Sequence, residues 1–281
     1  MWDALYLEFM RNAVVAGVLV SILCGVLGTL VVVNRIVFIS GGIAHAAYGG
    51  IGLAFYFGMP PSAGAALFSV LISLIMGAAS FKGKERADTV IGVMWAVGMA
   101  LGIILIDLTP GYGVDLMSYL FGSILSVPTS DIWYMAVLAV AIVCTVVAFY
   151  KEFLAMSYDE EFSFIVGIPV RGLYFLLLVM ISLAVVMTIR VVGLILVIAL
   201  LTIPPYIAEK YTTSLGGMMV ISSLLGIFFT ITGLWLSYSF DLTSGATIIM
   251  VAGVTFFFSL GVEWIKARKK AVGGELKESK Q

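Results

Sequence analysis

Long apolar runs separated by short polar breaks most constrain what this sequence can fold into. Several of these runs approach or reach the ~20 residues that an α-helix needs to cross a bilayer. They are Ala13 to Val33, Ala63 to Ser80, Val90 to Ile106, Ile132 to Phe149, Leu215 to Leu236 and Ala246 to Val262. Only 11% of the residues are charged, whereas soluble domains have about 25%. Because backbone polar groups in lipid must be satisfied internally, the predicted fold class is an all-α, polytopic transmembrane bundle.

Two further stretches are less uniform in composition. Ile43 to Phe57 is short and rich in glycine, which predicts a helix buried among others or a discontinuous one. Leu173 to Ile207 is long enough for about two spans. We expect these two spans to divide at Arg190 and to close at Pro204 and Pro205, because proline cannot continue the hydrogen bonding of a regular helix.

The domain organisation follows from these spans. We predict one transmembrane domain over residues 1–265 with about nine spans, within a range of eight to ten. The segment from Leu116 to Val127 is too short to cross and is predicted to be a surface or re-entrant helix. Residues 266–281 are predicted to form a polar cytoplasmic tail.

Lysine and arginine placement predicts the orientation, because basic residues near span ends stay on the cytoplasmic side. With nine spans and a cytoplasmic C-terminus, only Arg11 and Arg190 face outward. The predicted inner set is Arg35, Lys82, Lys84, Arg86, Lys151, Arg171, Lys210, Lys266, Arg268, Lys269, Lys270, Lys277 and Lys280. The net charge of −1 gives no reason to expect a nucleic-acid partner. The basic tail is better explained as a topology anchor that meets anionic membrane lipid.

The only histidine of the chain, His45, lies inside the second apolar region. Gly41 and Gly49 stand four residues to either side, so its own helix shields the imidazole poorly. One interpretation is a core histidine that hydrogen-bonds a carbonyl oxygen and joins two helices. The other is a transition-metal ligand, since ionisable groups at membrane depth usually line a cavity or a substrate path, and imidazole suits Zn²⁺ and related ions.

Three carboxylates are candidate oxygen partners for a metal ion at His45. They are Asp107, Asp115 and Asp241. All three lie near predicted outer ends of spans, where a solvated carboxylate or a helix cap is the competing interpretation.

Small residues also recur every four positions along the same stretch. They are Gly42, Ala46, Gly50 and Ala54. Residues four apart lie on one face of a helix, and a small-residue face lets another membrane helix approach closely. We therefore predict a tight helix–helix contact here.

The predicted inner loop from Tyr150 to Arg171 has the pattern of a short amphipathic helix. Ser157 followed by Glu160 fits a capping box, and acidic side chains occupy the first turn, where the helix dipole favours them. Apolar residues follow, and then a glycine and a proline stop the helix. The residues that define this segment, within about 157–169, are Asp159, Glu160, Glu161, Phe162, Ile165, Gly167 and Pro169.

This helix could lie on lipid or dock into a cytoplasmic partner. An anionic inner leaflet would repel three consecutive acids, so a groove in a partner protein fits the residues better. The sequence has no G-x-x-x-x-G-K-[ST] phosphate loop to hold ATP. Energy for uphill transport must therefore come from an ion gradient or from a partner.

The chain resembles the membrane permease subunit of the zinc/manganese-type family of bacterial and archaeal ABC importers, from about Val14 to Leu260. Five segments in the family's order carry the resemblance: Ile43–Ala46 after a basic turn at Arg35, Val114–Gly122, Asp159–Pro169, Val192–Pro205 and Asp241–Thr247. By this resemblance the fold is a type II-like permease in the cell membrane. Residues Asp159 to Pro169 would be the coupling helix that sits in an ATPase groove.

The resemblance also implies partners and a mechanism. Two permease copies, as a homodimer or as a pair with a paralogue, would assemble with two cytoplasmic ATPase subunits and an extracytoplasmic metal-binding protein. ATP binding to the ATPases would drive alternating access of a central path, so the chain would be a transport subunit, not an enzyme, and would hold no covalent cofactor. Family members often have an aspartate four residues before the histidine, where this chain has Gly41. This departure removes a reason to favour Mn²⁺, so Zn²⁺ is the favoured cargo and Mn²⁺ the second.

Two other classes compete with this interpretation. A gradient-driven secondary transporter or channel would often show inverted repeats and several acids near the midplane. The sequence shows no convincing internal repeat, and its acids lie at the edges of the spans. A multispan membrane enzyme would need a cluster of catalytic residues, which cannot be assembled from these spans.

Overall fold

The computed structural model describes residues 6–82, 87–110, 122 and 124–278. Its helices are α1 (Glu8–Val33), α2 (Val37–Phe57), α3 (Pro61–Lys82), α4 (Ala87–Asp107), α5 (Thr129–Ala148), α6 (Tyr150–Tyr158), α7 (Glu160–Ile165), α8 (Val170–Val192), α9 (Leu194–Glu209), α10 (Leu215–Phe240) and α11 (Ser244–Glu278). Within the described residues, 8 helices are long and apolar enough to cross a membrane, and α9 is a shorter apolar helix. The predicted all-α bundle of eight to ten spans is confirmed, and the chain is a multi-pass membrane protein.

Polar contacts between helix termini show which termini lie at the same end of the bundle. At one end, Asn34 in the turn between α1 and α2 donates to Ser157 of α6 over 3.0 Å. Close by in the fold, the Tyr150 hydroxyl accepts the backbone N–H of Gly216 at the start of α10, over 3.0 Å. We call this the basic end, because four of the basic residues lie at the helix termini there: Arg35, Lys151, Arg171 and Lys210.

The opposite end is joined by a second set of polar contacts. Arg190 near the end of α8 pairs with Asp131 in the first turn of α5, with 3.4 Å between nitrogen and oxygen. Asn12 near the start of α1 donates to the hydroxyl of Thr129 over 3.2 Å. The starts of α1 and α5 therefore lie at the same end of the bundle as the end of α8. This agrees with spans that cross the membrane in alternating directions.

Helix α1 packs lengthwise against α10 through small and hydroxylated residues. The Ser21 and Thr230 hydroxyls lie 3.2 Å apart, and Thr29 donates to Ser222 over 3.4 Å. A methyl group at Gly25 would come within 2.5 Å of the backbone nitrogen of Ser223. Small residues and hydroxyl hydrogen bonds replace the hydrophobic effect as the source of helix association in lipid.

Helix α2 is continuous and lies among its neighbours, so the buried alternative for this stretch is correct. It runs beside α4 with backbone nearly in contact. A methyl group at Gly52 would come within 2.5 Å of the Gly102 carbonyl oxygen, and one at Gly102 within 2.4 Å of the Tyr48 carbonyl oxygen. Glycine at these positions is what allows the approach.

The long stretch predicted to divide at Arg190 instead divides at Gly193. Gly193 has φ 82 and stands between the end of α8 and the start of α9, a conformation that glycine adopts without steric cost. Arg190 remains in the last turn of α8. The division at Arg190 was therefore wrong because backbone geometry, not side-chain charge, sets the break.

Pro204 and Pro205 lie inside α9, and the expectation that they close the helix was wrong. Each removes one backbone N–H, so Leu201, four residues before Pro205, loses its usual donor. A methyl group at Gly28 on α1 would come within 2.5 Å of the Leu201 carbonyl oxygen. The absence of a side chain at Gly28 therefore lets the α1 backbone pack directly against this face of α9.

Candidate metal path and coupling helix

His45 lies in the middle of α2 with its ring against a tryptophan of α4. The rings of His45 and Trp95 stack with their centroids 4.0 Å apart and their planes 16° from parallel. The His45 Nδ1 atom is buried and has no hydrogen-bond partner among the described residues. The ring thus stacks on Trp95, and its Nδ1 forms no hydrogen bond to a carbonyl oxygen of the described residues.

Two glycines leave open space beside this stack. Gly41 lies one helical turn before His45, and Gly92 lies about one turn before Trp95. A methyl group at either position would meet no atom within 4 Å among the described residues. We call the region formed by Gly41, His45, Gly92 and Trp95 the glycine recess.

The two candidate oxygen partners that the structure describes, Asp107 and Asp241, both lie at helix ends. Asp107 ends α4 twelve positions after Trp95, which is about 18 Å along the helix axis. Asp241 is the exposed C-cap of α10 with φ 51, and Asp115 lies outside the described residues. No group of three or more His, Cys, Asp or Glu side chains that could hold a metal ion occurs among the residues described.

The predicted small-residue stripe of α2 contacts two helices in succession. A methyl group at Gly42 would come within 2.7 Å of Ile91 on α4, and Ala46 lies against Gly98 of the same helix. Further along, both Gly50 and Ala54 lie against Gly64 of α3. A spacing of four residues turns about 40° per step around a helix of 3.6 residues per turn. The stripe therefore rotates from α4 towards α3.

The predicted amphipathic helix of the inner loop corresponds to α7, but a different residue caps it. The Asp159 side chain accepts the N–H of Phe162 over 2.9 Å. Ser157 belongs to α6 and bonds Asn34 instead, so the capping box predicted for Ser157 and Glu160 was wrong. The φ of 91 at Gly167 and the hydrogen bond from Ile168 N–H to the Ser163 carbonyl, 3.0 Å, end α7 in a Schellman motif.

The apolar side chains of this short helix face outward. We call the set Phe162, Phe164, Ile165 and Val166 the coupling face, and their exposed fractions are 62%, 75%, 80% and 59%. Glu160 and Glu161 lie in the first turn of the same helix. A groove of about 680 Å³ runs between this segment and the start of α8, where Pro169 is the N-cap. Such an apolar surface outside the spans is typical of a protein–protein contact.

Comparisons with known proteins identify the family. Residues 6–263 match the model of the ABC 3 transport family. The chain belongs to this family. An uncharacterized membrane protein of Synechocystis is 54% identical to this permease over 260 residues, 92% of either chain. The manganese transport system membrane protein MntC of Listeria monocytogenes is 35% identical over 252 residues, 90% of either chain.

A solved structure agrees with the permease throughout the bundle. PsaBC from Streptococcus pneumoniae in complex with Fab contains a chain that is 32% identical, with a TM-score of 0.82 over 92% of this chain and 93% of that one. The predicted membership in the metal ABC importer family is confirmed. The chain is a transport subunit, and ATP hydrolysis is carried by a separate ATPase subunit.

Two residues of this permease were missed by sequence reasoning. Trp95 holds the His45 ring, and Asn34 joins the turn before α2 to α6. Tryptophan is enriched at membrane interfaces, so a tryptophan well inside an apolar span was a signal that could have been used. Asn34 had no such signal, because its partner is distant in the sequence.

Proposed function

We propose that this permease imports a divalent transition-metal ion by alternating access, driven by a cytoplasmic ABC ATPase docked on α7. The coupling face carries this proposal. Its apolar side chains extend from the basic end, and the fixed helix cap at Asp159 presents them in one orientation. A helix of this kind suits a groove in a partner protein. The flanking acids Glu160 and Glu161 suit a basic rim around such a groove.

The basic end is proposed to be cytoplasmic, which places the C-terminus inside. Arg35, Lys151, Arg171 and Lys210 at that end support this orientation through the positive-inside rule. In the proposed arrangement, residues 1–265 form a single transmembrane domain and residues 266–281 a cytoplasmic tail. An extracytoplasmic metal-binding protein would deliver the ion to the opposite end.

His45 is proposed to contact the ion as it passes. Its buried Nδ1, which has no hydrogen-bond partner in the described part of the chain, and the glycine recess beside the ring support this role. A transit site must release what it binds, so one imidazole with few other donors suits a conduit. The ring is only partly buried in a single chain, and a second permease copy, forming a homodimer, would complete the enclosure.

Two observations bear on which metal is carried. The imidazole donor favours Zn²⁺, and Gly41 removes the carboxylate that would favour a harder ion. The MntC relatives of Listeria monocytogenes and Halalkalibacterium halodurans are named as manganese transport system membrane proteins. We therefore propose Mn²⁺ as the cargo with Zn²⁺ as the second candidate, and competition between the two ions during uptake would distinguish them.

The test is metal uptake by proteoliposomes that contain the permease, its ATPase and the metal-binding protein. We expect Ile165→Asp to abolish ATP-dependent uptake, because it adds a charge to the docking surface without disturbing packing at a side chain that is 80% exposed. Ile165→Leu keeps an apolar surface and is the matched control. Membrane insertion and melting temperature should be equal in both variants.

The competing transport class gives the opposite outcome. A secondary transporter or channel needs no docked motor, so the permease alone would move metal down its gradient. Undiminished metal movement by purified permease after deletion of Glu160 to Val166 would overturn the ATPase-driven proposal. Loss of uptake with normal insertion would support it.

A further inference from the structure

We infer that the hydrogen bond between Asn34 and Ser157 is the link that passes movement of the coupling helix to α2 and so to His45. Ser157 is two residues before the Asp159 cap of α7, and Asn34 is in the turn that leads directly into α2. This inference rests on the proposed function and names a positioning residue for it. Asn34 would act through α2 without touching the ion.

The turn between α1 and α2 is fixed by its own backbone. Arg35 has φ 56, and the N–H groups of Arg35 and Ile36 donate to the carbonyls of Val32 and Val31, both over 3.0 Å. This is the Schellman pattern with arginine in the left-handed position usually taken by glycine. Because these hydrogen bonds fix the backbone of the turn, a displacement of Asn34 also displaces the start of α2.

The Asn34 side chain holds both partners at once. Its amide nitrogen donates to the Leu30 carbonyl of α1 over 2.8 Å and to the Ser157 hydroxyl over 3.0 Å. The two N–H groups of an asparagine amide allow both bonds together. The amide is therefore oriented by α1 and presented to α6 in a single geometry.

Helix α6 is suited to carry movement from α7 as a rigid unit. Phe153 is completely buried and Met156 is 5% exposed, so one side of α6 is packed into the bundle. Asp159 lies between α6 and α7, serves as the last cap of one and the first cap of the other, and leaves no flexible linker. A displacement of α7 by the ATPase thus reaches Ser157 with little loss.

A second hydrogen bond provides an internal comparison. Tyr150, at the other end of α6, accepts the backbone N–H of Gly216 over 3.0 Å and so connects α6 to α10. Both bonds anchor α6, but only the Asn34 bond leads directly into α2. If the bonds merely stabilised the fold, removing either would have similar consequences.

The experiment measures metal ions imported per ATP hydrolysed by the complete transporter in proteoliposomes. Ser157→Ala removes the hydroxyl, and we expect this ratio to fall about five-fold, the equilibrium factor of one neutral hydrogen bond. ATPase binding should not change. Ser157→Thr keeps the hydroxyl and should retain the native ratio. Tyr150→Phe should lower the melting temperature but also retain the native ratio.

A double-mutant cycle sharpens the test. Asn34→Ala should lower the ratio as Ser157→Ala does, and the double variant should be no worse than Asn34→Ala, because the Asn34–Ser157 bond is already lost in each single variant. If Asn34→Ala fails to fold, Ser157→Ala against Ser157→Thr decides alone. A native ratio in Ser157→Ala, or an equal fall in Tyr150→Phe, would overturn the inference. Absence of ATP-dependent uptake by the native complex would instead overturn the proposed function itself.

Discussion

Helices α2 and α4 are neighbours of equal length, 21 residues each, with opposite surroundings. In α2, 78% of the most apolar window is buried in protein, whereas in α4 only 22% is. Yet α2 has the lowest mean hydropathy of the 8 candidate spans found in the described residues, and α4 has one of the higher values. In a bilayer the exposed helix must be apolar, and the buried helix is free to carry glycine and histidine.

This difference has a consequence for function. A polar group such as His45 needs protein around it, and α2 supplies that environment by letting α3 and α4 approach its glycines. The outward side of α4 carries Val93, Val97 and Ile104, which are more than half exposed. Helix α4 thus contacts the candidate site on one side and carries an exposed apolar surface on the other.

The largest change in stability should come from adding a methyl group where α2 and α4 are in close contact. Gly102→Ala would bring a methyl group within 2.4 Å of the Tyr48 carbonyl oxygen, and we expect a loss of about 1 to 3 kcal/mol from overpacking. Gly92→Ala, on the same helix but facing open space, should stabilise by up to about 1 kcal/mol. Melting temperatures in detergent measure both. Equal shifts would show that the two sides of α4 do not differ.

The next largest effect should be on metal affinity, through Trp95, the residue of α4 that stacks on His45. Trp95→Leu removes the stacked ring, and we expect metal affinity at the transit site to fall by up to about ten-fold, the upper range for an aromatic pair. Trp95→Phe should retain most of the affinity. Isothermal titration of the assembled transporter with Mn²⁺ and Zn²⁺ measures this. An unchanged affinity in Trp95→Leu would mean that stacking does not position His45.

A smaller loss of stability is expected in α7, which lies outside the membrane-spanning helices. Asp159→Ala removes the cap of α7 and should cost about 1 kcal/mol locally. Hydrogen exchange of the Phe162 amide should accelerate about five-fold, the factor that this free energy implies. Asp159→Asn keeps a capping oxygen and should exchange at nearly the native rate. Identical exchange in both variants would contradict the assignment of Asp159 as the cap.

The smallest effect should be at the ion pair of Lys210 and Glu263, which is open to solvent on the Glu263 side. Their charged atoms are 2.7 Å apart, and the Lys210 side chain is 11% exposed and the Glu263 side chain 49%. Exposed ion pairs contribute about 0 to 1 kcal/mol, so Glu263→Gln should change the melting temperature little and uptake not at all. A large destabilisation would show that the ends of α9 and α11 are coupled more strongly than their exposure indicates.

The sequence predicted the parts of this fold that depend on local pattern. Apolar run length identified most spans, and the glycines around Ile43 to Phe57 indicated a buried helix. The same reasoning misplaced the break at Arg190, since charge is visible in a sequence but the left-handed backbone of Gly193 is not. It also assigned the cap to Ser157, because a capping box at Ser157 and Glu160 and a single cap at Asp159 look alike in a sequence.

The candidate site was only partly accessible from the sequence. His45 stood out because it is the only histidine, and Gly41 because of its spacing from His45. Trp95 belongs to another helix, and its distance from His45 depends on how α2 and α4 pack. Asp107 was a candidate because a sequence does not show how far along α4 this residue lies from His45.

The central claim is that the ion contacts His45 on its way through the bundle. Metal-edge X-ray absorption of the assembled transporter, loaded with Mn²⁺ or Zn²⁺ and trapped before release, tests this directly. We predict the scattering pattern of one imidazole per permease chain in the native protein and its loss in His45→Ala, with the fold preserved. An identical spectrum in the two proteins would contradict the account.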